Sequence, residues 1–368
     1  MSLEKLARPE IFTLSPYVPG KPVDEVKREL GLTEVIKLAS NENPLGPSPR
    51  AMAAIAGMAE QAHIYPDASA FRLKQALSER YGLPTDHFII GDGSDEIIKL
   101  ICEVFVGPGD EAVVPSPSFP VYDMATKLMS GTPVYVPLKD GRLDIPAMIS
   151  AFSDRTKLVF ICNPNNPTGT IVTRAEVDQL MGQLPPDAIV VFDEAYFEYV
   201  EDADYPDGLA YLRAGQPVIV LRTFSKIFGL AGLRVGYGIT YPDAVGLLNR
   251  PRLAFNVNSI AQAAAIAALG DDEHVAESRR VNRQGRDYLY REFAAMGLEY
   301  LPSQANFVLV NIGLDSATVF QGLLRRGVIV RPAHIFGLNG WQRVTIGTAE
   351  ENRKFIEALR EVITELKE

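Results

Sequence analysis

Cysteine is almost missing from this chain: two occur in 368 residues, Cys102 and Cys162, with no C-x-x-C pair. Neither a disulfide framework nor a zinc site is suggested, and a reducing cytoplasm is the expected compartment. Histidine is nearly as scarce. None of His63, His87, His274 and His334 stands at metal-ligand spacing or beside a serine or cysteine in a hydrolase pattern, so no metal and no catalytic histidine are assigned. Long apolar runs are lacking too. No stretch reaches the roughly eighteen residues of a membrane span, and the opening residues, MSLEKLARPEIF, carry no apolar leader core. A soluble, unprocessed protein with no membrane partner is expected. Positive charge is in deficit, with 36 Lys and Arg against 46 Asp and Glu and a net charge of −10. Nucleic acids are bound by clustered Lys and Arg that neutralise phosphates, so no nucleic-acid partner is expected. Small anions can still bind at local sites.

What is present is ordinary globular material, 47% hydrophobic and 22% charged, enough for one large α/β domain and a smaller companion. Residues 1–32, rich in Pro and Gly around SPYVPGKP, read as an arm on a surface with a short amphipathic helix near Val23–Leu30. From 33 to 260 apolar β-branched runs alternate with helical stretches, which predicts a large domain with a mostly parallel sheet flanked by helices. Its candidate strands are Val35–Leu38, Phe88–Ile90, Ala112–Val114, Val134–Val136, Leu158–Ile161, Ile189–Phe192, Val218–Leu221 and Val235–Ile239. Residues 261–368 change texture. A helix at Ser259–Leu269 leads into an Arg-rich one through Arg279–Met296, then short strands near Phe307–Val310, Val328–Val330 and Val344–Ile346, a smaller α+β domain.

Polar motifs follow several of these strands, and ligands of open α/β sheets gather at the carboxyl ends of strands. RTFSKIFGLAGLRVGY places Thr223, Ser225, Lys226 and Arg234 where hydroxyls and a guanidinium can hold a phosphate beside an amine. An aldehyde cofactor needs that arrangement, with the lysine partly desolvated so that its neutral form is accessible. VVFDEAYFEY ends a strand at Asp193, with Tyr196 following. A carboxylate there can keep a pyridine nitrogen protonated and a phenol can bond a ring oxygen, although strand-end acids are also common helix caps. Glu194 reads as a bystander. ICNPNNPTGT reads as a turn, and its Asn166 amide could donate to a phenolate oxygen. IIGDGSDEIIKL starts a helix whose Gly93, Ser94 and Asp95 amides, with the Ser94 hydroxyl, favour an anion. Asp95 and Glu96 are expected to point away from it.

These four segments, in this order, resemble the fold-type I pyridoxal-phosphate aminotransferases over nearly the whole chain. The resemblance implies that Lys226 carries pyridoxal 5'-phosphate as a Schiff base, that Asp193 faces the pyridine nitrogen, and that Tyr196 and Asn166 face the ring oxygen. It further implies phosphate contacts from Gly93, Ser94, Asp95, Thr223, Ser225 and Arg234. Phe119 in PSPSFPVY falls where an aromatic stacks on the ring, with Tyr122 as a rival. LSPYVPGKP, KLASNENPLGPSP, IYPD, SQANFVLV and GVIVRP with RVTIGTAEEN resemble the histidinol-phosphate subgroup. That implies a homodimer in which Tyr65 reaches the neighbouring subunit's cofactor phosphate. One departure is Asp92, where the subgroup often has Asn.

The implied reaction has two halves, with Lys226 as covalent anchor and acid/base. The subgroup's donor is a phosphorylated amino alcohol, and glutamate and 2-oxoglutarate are its co-substrates in histidine biosynthesis. One subsite must therefore accept both a phosphate dianion and a carboxylate. By resemblance Arg343 binds every substrate anion, while Arg331 and Tyr17 add phosphate contacts, the planar guanidinium suiting both anions. An aromatic amino-acid aminotransferase remains an alternative. A cofactor-binding sensor module without activity is a more distant one, since no helix-turn-helix segment is apparent.

Overall fold

The computed structural model describes residues 3–16 and 20–368. Its centre is a seven-stranded sheet in the order Phe88–Gly91, Gly236–Ile239, Val218–Thr223, Ile189–Asp193, Thr156–Cys162, Glu111–Ser116, Thr132–Pro137. Gly236–Ile239 runs antiparallel to both neighbours and every other pairing is parallel. Parallel strands joined by helical crossovers are covered on both faces, which is why these read as apolar runs. The period of two then sorts their side chains. Val190, Phe192, Val218 and Val220 enter one apolar cluster with Ala261, Ala264, Ala265 and Ala268 of the helix Ser259–Leu269. Val191, Ile219 and Leu221 enter the other, with Ile97, Ile98 and Ile101 of the helix Gly93–Phe105.

The parallel strands end along one edge of this sheet. Cys162 stands opposite Asp193, Asp193 opposite Leu221, and Gly236 between Thr223 and Gly91. The motifs at these strand ends are thereby brought to a common edge.

A four-stranded antiparallel sheet has the order Arg331–Pro332, Trp341–Thr345, Phe307–Asn311, Glu299–Tyr300. Leu289, Phe293, Val319, Leu323, Phe355 and Leu359 from three helices pack with its buried side. Two expectations change here. The segment anticipated as the first strand of the large sheet is only Ile36–Lys37, and it pairs in parallel with Val328–Ile329. Leu38 packs beside Val328 and Val330, and its carbonyl accepts from Thr345 N at 2.9 Å. Apolar patterning marks a strand but does not name its partner. The Arg-rich helix also begins earlier, at Asp272, because the Asp271 side chain caps it by accepting from His274 N. Val23–Leu30 and Ser259–Leu269 are helices over the expected residues. Among the described residues no helix is long and apolar enough to cross a membrane.

Candidate active site

The edge where strands end begins with a cup of donors. Gly93, the first residue of its helix, has φ +76°, and a Cβ built on it would lie 2.5 Å from Arg234 Nη2. Only a bare backbone lets the guanidinium lie against that first turn, where amide groups have no carbonyl within the helix to bond. Arg234 Nη1 donates to Ala231 O at 3.0 Å and to Ser225 Oγ at 3.4 Å, and Ser225 N donates to Thr223 Oγ1 at 3.1 Å. Helix dipole, hydroxyls and guanidinium together suit a phosphate.

The two acids of that turn behave differently from each other. Glu96 does turn aside, its Oε2 accepting from Asp92 N at 2.5 Å and Asn256 Nδ2 at 2.7 Å. Asp95 does not: its Oδ2 lies 3.9 Å from Arg234 Nη2, and it is among the charges acting on Lys226 and Asp193. Successive helix residues are about 100° apart, so the two carboxylates leave the turn in different directions.

Lys226 follows the strand Val218–Thr223 and is partly buried. Its Nζ lies 3.5 Å from Ser40 O and 5.7 Å from the centre of the Tyr196 ring. Burial pushes the amine down to about 8, with Arg343 adding to the effect and Asp95 and Glu42 opposing it. Asp193 is 4% exposed at the end of its strand. Its Oδ2 accepts from Tyr122 Oη at 2.5 Å and its Oδ1 from Ala195 N at 3.1 Å. Burial pushes the carboxyl up to about 6 against these donors. A buried carboxylate so held suits a cationic partner, as a protonated pyridine would be. Tyr196 is buried, its oxygen accepting from Asn41 Nδ2 at 2.9 Å.

The NPTG turn is clamped to the C-terminal half of the chain. Gly169 has φ +76°, a Cβ there would sit 2.2 Å from Ser303 Oγ, and its carbonyl accepts from Gln304 N at 2.8 Å. Asn166 Oδ1 accepts from Arg343 Nη1 at 2.5 Å, so its Nδ2 remains the donor end of that amide. Arg343 also donates to Ala39 O at 2.6 Å. Arg331 and Arg343 face each other in register on adjacent strands and are 7% and 5% exposed. Directly opposed residues share a face of the sheet, so Arg331 and Arg343 rise from the same face, and Arg343 meets Asn166 there.

Lys226, Asp193, Tyr196, Asn166 and Arg343 thus converge with the cup, and Arg331 stands opposite Arg343 on the neighbouring strand. Phe119 is partly buried and meets Tyr122 edge to face at 5.8 Å. Tyr122 is already stacked on Phe160 at 4.5 Å and bonded to Asp193. Tyr65 stands apart, 79% exposed and stacked on Phe255 at 4.7 Å. Tyr17 lies outside the described residues.

Sequence reasoning missed the contacts of two supporting residues. Tyr122 and Asn41 hold Asp193 and Tyr196. Glu194, read as a bystander to the chemistry, is held in the core, accepting from Arg222 Nε and Nη2 at 2.9 and 2.8 Å with both side chains 1% exposed, an ion pair that was not anticipated. The signal was available: Arg222 is a charge inside the apolar strand VIVLRT. Among the described residues no group of three or more His, Cys, Asp or Glu could hold a metal ion.

Residues 33–359 match the family model described as aminotransferase class I and II. A histidinol-phosphate aminotransferase of Moorella thermoacetica is 53% identical over 97% of this chain and 92% of its own length. The crystal structure of histidinol-phosphate aminotransferase from Sinorhizobium meliloti in complex with pyridoxal-5'-phosphate superposes with a TM-score of 0.88, at 30% identity over 97% of each chain. The aspartate aminotransferase of Thermus thermophilus with maleate, 22% identical, shares the fold with a TM-score of 0.82 over 97% of this chain and 99% of its own.

Proposed function

The chain belongs to the class I and II aminotransferases, and from that premise we propose that it transfers the amino group of histidinol phosphate to 2-oxoglutarate, with pyridoxal phosphate as its cofactor. The donor set fits that cofactor. The cup of Gly93, Ser94, Asp95 amides, Thr223, Ser225 and Arg234 would hold its phosphate, Asp193 its ring nitrogen, and Asn166 and Tyr196 its ring oxygen. Phe119 would cover the ring, and Lys226 would bind the aldehyde. When bound, pyridoxal phosphate supplies an aldehyde that takes up the amino group and a protonated ring that draws electrons from the carbon losing its proton.

The protein's own residues do the rest. Lys226, its amine pushed down to about 8, reaches its neutral, basic form far more readily than an exposed lysine. Its neutral amine would be the base that takes the proton from the substrate Cα and, once protonated, the acid that returns one across the same face. Asp193 would hold the ring-nitrogen proton, and Asn166, oriented by Arg343, would donate to the ring oxygen. Arg343 and Arg331 bind the substrate's anionic end, and Tyr17 would join them.

The observation that carries the substrate assignment is the pair Arg331 and Arg343, buried and directly opposed. A single carboxylate needs one guanidinium fork, whereas a phosphate dianion accepts from two. Single-turnover rates with histidinol phosphate, glutamate and phenylalanine test this directly. Histidinol phosphate and glutamate should react fastest, and phenylalanine leading both would favour the aromatic aminotransferase.

The working enzyme is proposed as a homodimer with shared sites. Tyr65 is 79% exposed and stacked on Phe255, itself 44% exposed, with the neighbouring Ile64 58% exposed. An exposed apolar cluster of this kind favours a protein partner, and a second subunit gives Tyr65 a phosphate to reach.

A further inference from the structure

We propose that Tyr122 is a positioning residue whose hydroxyl, donating to Asp193 Oδ2 at 2.5 Å, fixes that carboxylate and keeps it anionic where it meets the ring nitrogen of the cofactor. The proposal rests on the cofactor assignment above.

The hydroxyl has little freedom to do anything else. Tyr122 lies in the first turn of the helix Val121–Leu128 and is fully buried. Its ring is stacked on Phe160 with planes 15° apart and meets Phe119 edge on. A tyrosine ring has two side-chain torsions, and packing on both sides fixes them. A buried phenol must find an acceptor, and here it is Asp193. Burial pushes the phenol far up, so it keeps its proton and acts as a donor.

Asp193 needs that donor. It sits among Asp95 from the helix Gly93–Phe105, Lys226 after the adjoining strand, the Cys162 thiol on the strand opposite, and Tyr196 on its own loop. Burial and Asp95 favour the neutral acid, while Lys226 and the amide of Ala195 favour the anion. The Tyr122 bond is the foremost contribution opposing burial. With one donor on each oxygen, the carboxylate plane is set and a lone pair remains for a third donor.

Tyr122→Phe keeps the ring and removes only the hydroxyl. Affinity of the apoenzyme for pyridoxal phosphate, measured by equilibrium dialysis from pH 5.5 to 9 on both proteins, reads the effect without turnover. The variant should bind roughly tenfold more weakly at neutral pH, with the acid limb of its profile about one unit higher, the loss expected for a bond to a charged acceptor. Site-specific difluorotyrosine at position 122, a stronger donor, should move the limb the other way. An unmoved limb in both proteins overturns the proposal, as does a uniform loss at every pH, which would mean that the hydroxyl serves packing alone. Failure of the wild-type apoenzyme to bind pyridoxal phosphate would instead overturn the cofactor assignment.

Discussion

Arg343 donates to Asn166 Oδ1 at 2.5 Å across 177 positions of the chain, joining the Trp341–Thr345 strand to the turn after Thr156–Cys162. One guanidinium thereby orients a proposed cofactor ligand and, in the proposed function, also binds the substrate anion. Arg343→Ala should lower kcat/KM for histidinol phosphate and glutamate alike, on the order of a hundredfold, because both lose a charge-assisted bond and Asn166 loses its restraint. Steady-state comparison of the two donors checks this. A loss confined to one donor would separate Arg343 from the common anion site.

The apoenzyme should be markedly less stable than the cofactor-loaded protein near pH 7. Asp193, raised to about 6, contributes stability that is present below its unfolded value and lost as pH rises through about 6. Lys226, lowered to about 8, contributes stability that is present above its unfolded value and lost as pH falls through about 8. Between those values the apoenzyme bears both costs, on the order of a few kcal/mol together. Binding pyridoxal phosphate gives each group a partner and adds the linkage term. Thermal scans with and without cofactor should show a rise of several degrees, largest between pH 6 and 8. Equal midpoints across that window would contradict the proposed contacts.

Asp193→Asn should fold and retain some cofactor yet lose most turnover. An amide cannot hold the ring-nitrogen proton against a buried setting, so the barrier should rise by several kcal/mol, about a hundredfold or more in rate. Near wild-type single-turnover rates would make Asp193 a structural residue.

Much of this site was legible because its chemistry lies at strand ends. Asp193, Lys226 and Asn166 sit in short polar strings that interrupt apolar runs, and turn residues marked where each run stops. What stayed hidden depends on pairing across long intervals. Nothing local to Val35–Leu38 says that it joins Val328–Ile329, and nothing in PSPSFPVY says that Tyr122 turns inward to Asp193 while Phe119 stays at the cleft. Asp95 was misjudged because the direction of a side chain follows helix phase, which a motif does not display. Arg222 was readable and overlooked. Its guanidinium lies 3.5 Å from the centre of the Phe197 ring and bonds Glu194 and Asp207.

That buried ion pair gives a stability test independent of the cofactor. Removing one partner strands a charge in the core, and Arg222→Ala should cost about 3–5 kcal/mol. The double variant Arg222→Met with Glu194→Gln should recover part of that loss. Denaturant melts of the three proteins measure it, and a mild effect of Arg222→Ala would show that water reaches Glu194.

Shared sites can be tested by mixing Tyr65→Phe with Lys226→Ala subunits. If Tyr65 serves the partner, each heterodimer has one site with both lesions and one with neither. Activity should rise above both parents after exchange. A fully active monomer by light scattering at assay concentration would rule the arrangement out.

The sharpest test of substrate concerns Arg331, because it separates a phosphate subsite from a general anion subsite. Its position opposite Arg343 puts it on the same face of the sheet and nearly out of solvent. If Arg343 binds either anion while Arg331 and Tyr17 engage chiefly the bulkier dianion, then Arg331→Ala should weaken histidinol phosphate far more than glutamate. A charge-assisted bond to phosphate is worth about 1.5–3 kcal/mol, roughly ten- to a hundredfold in the half-reaction. Arg331→Lys should restore only part of it, since an ammonium keeps the charge but loses the planar fork. Single-turnover rates avoid the coupling that mixes the two halves at steady state. Equal losses for both donors would leave Arg331 as part of one undivided anion site, and the preference for a phosphorylated donor would need another origin.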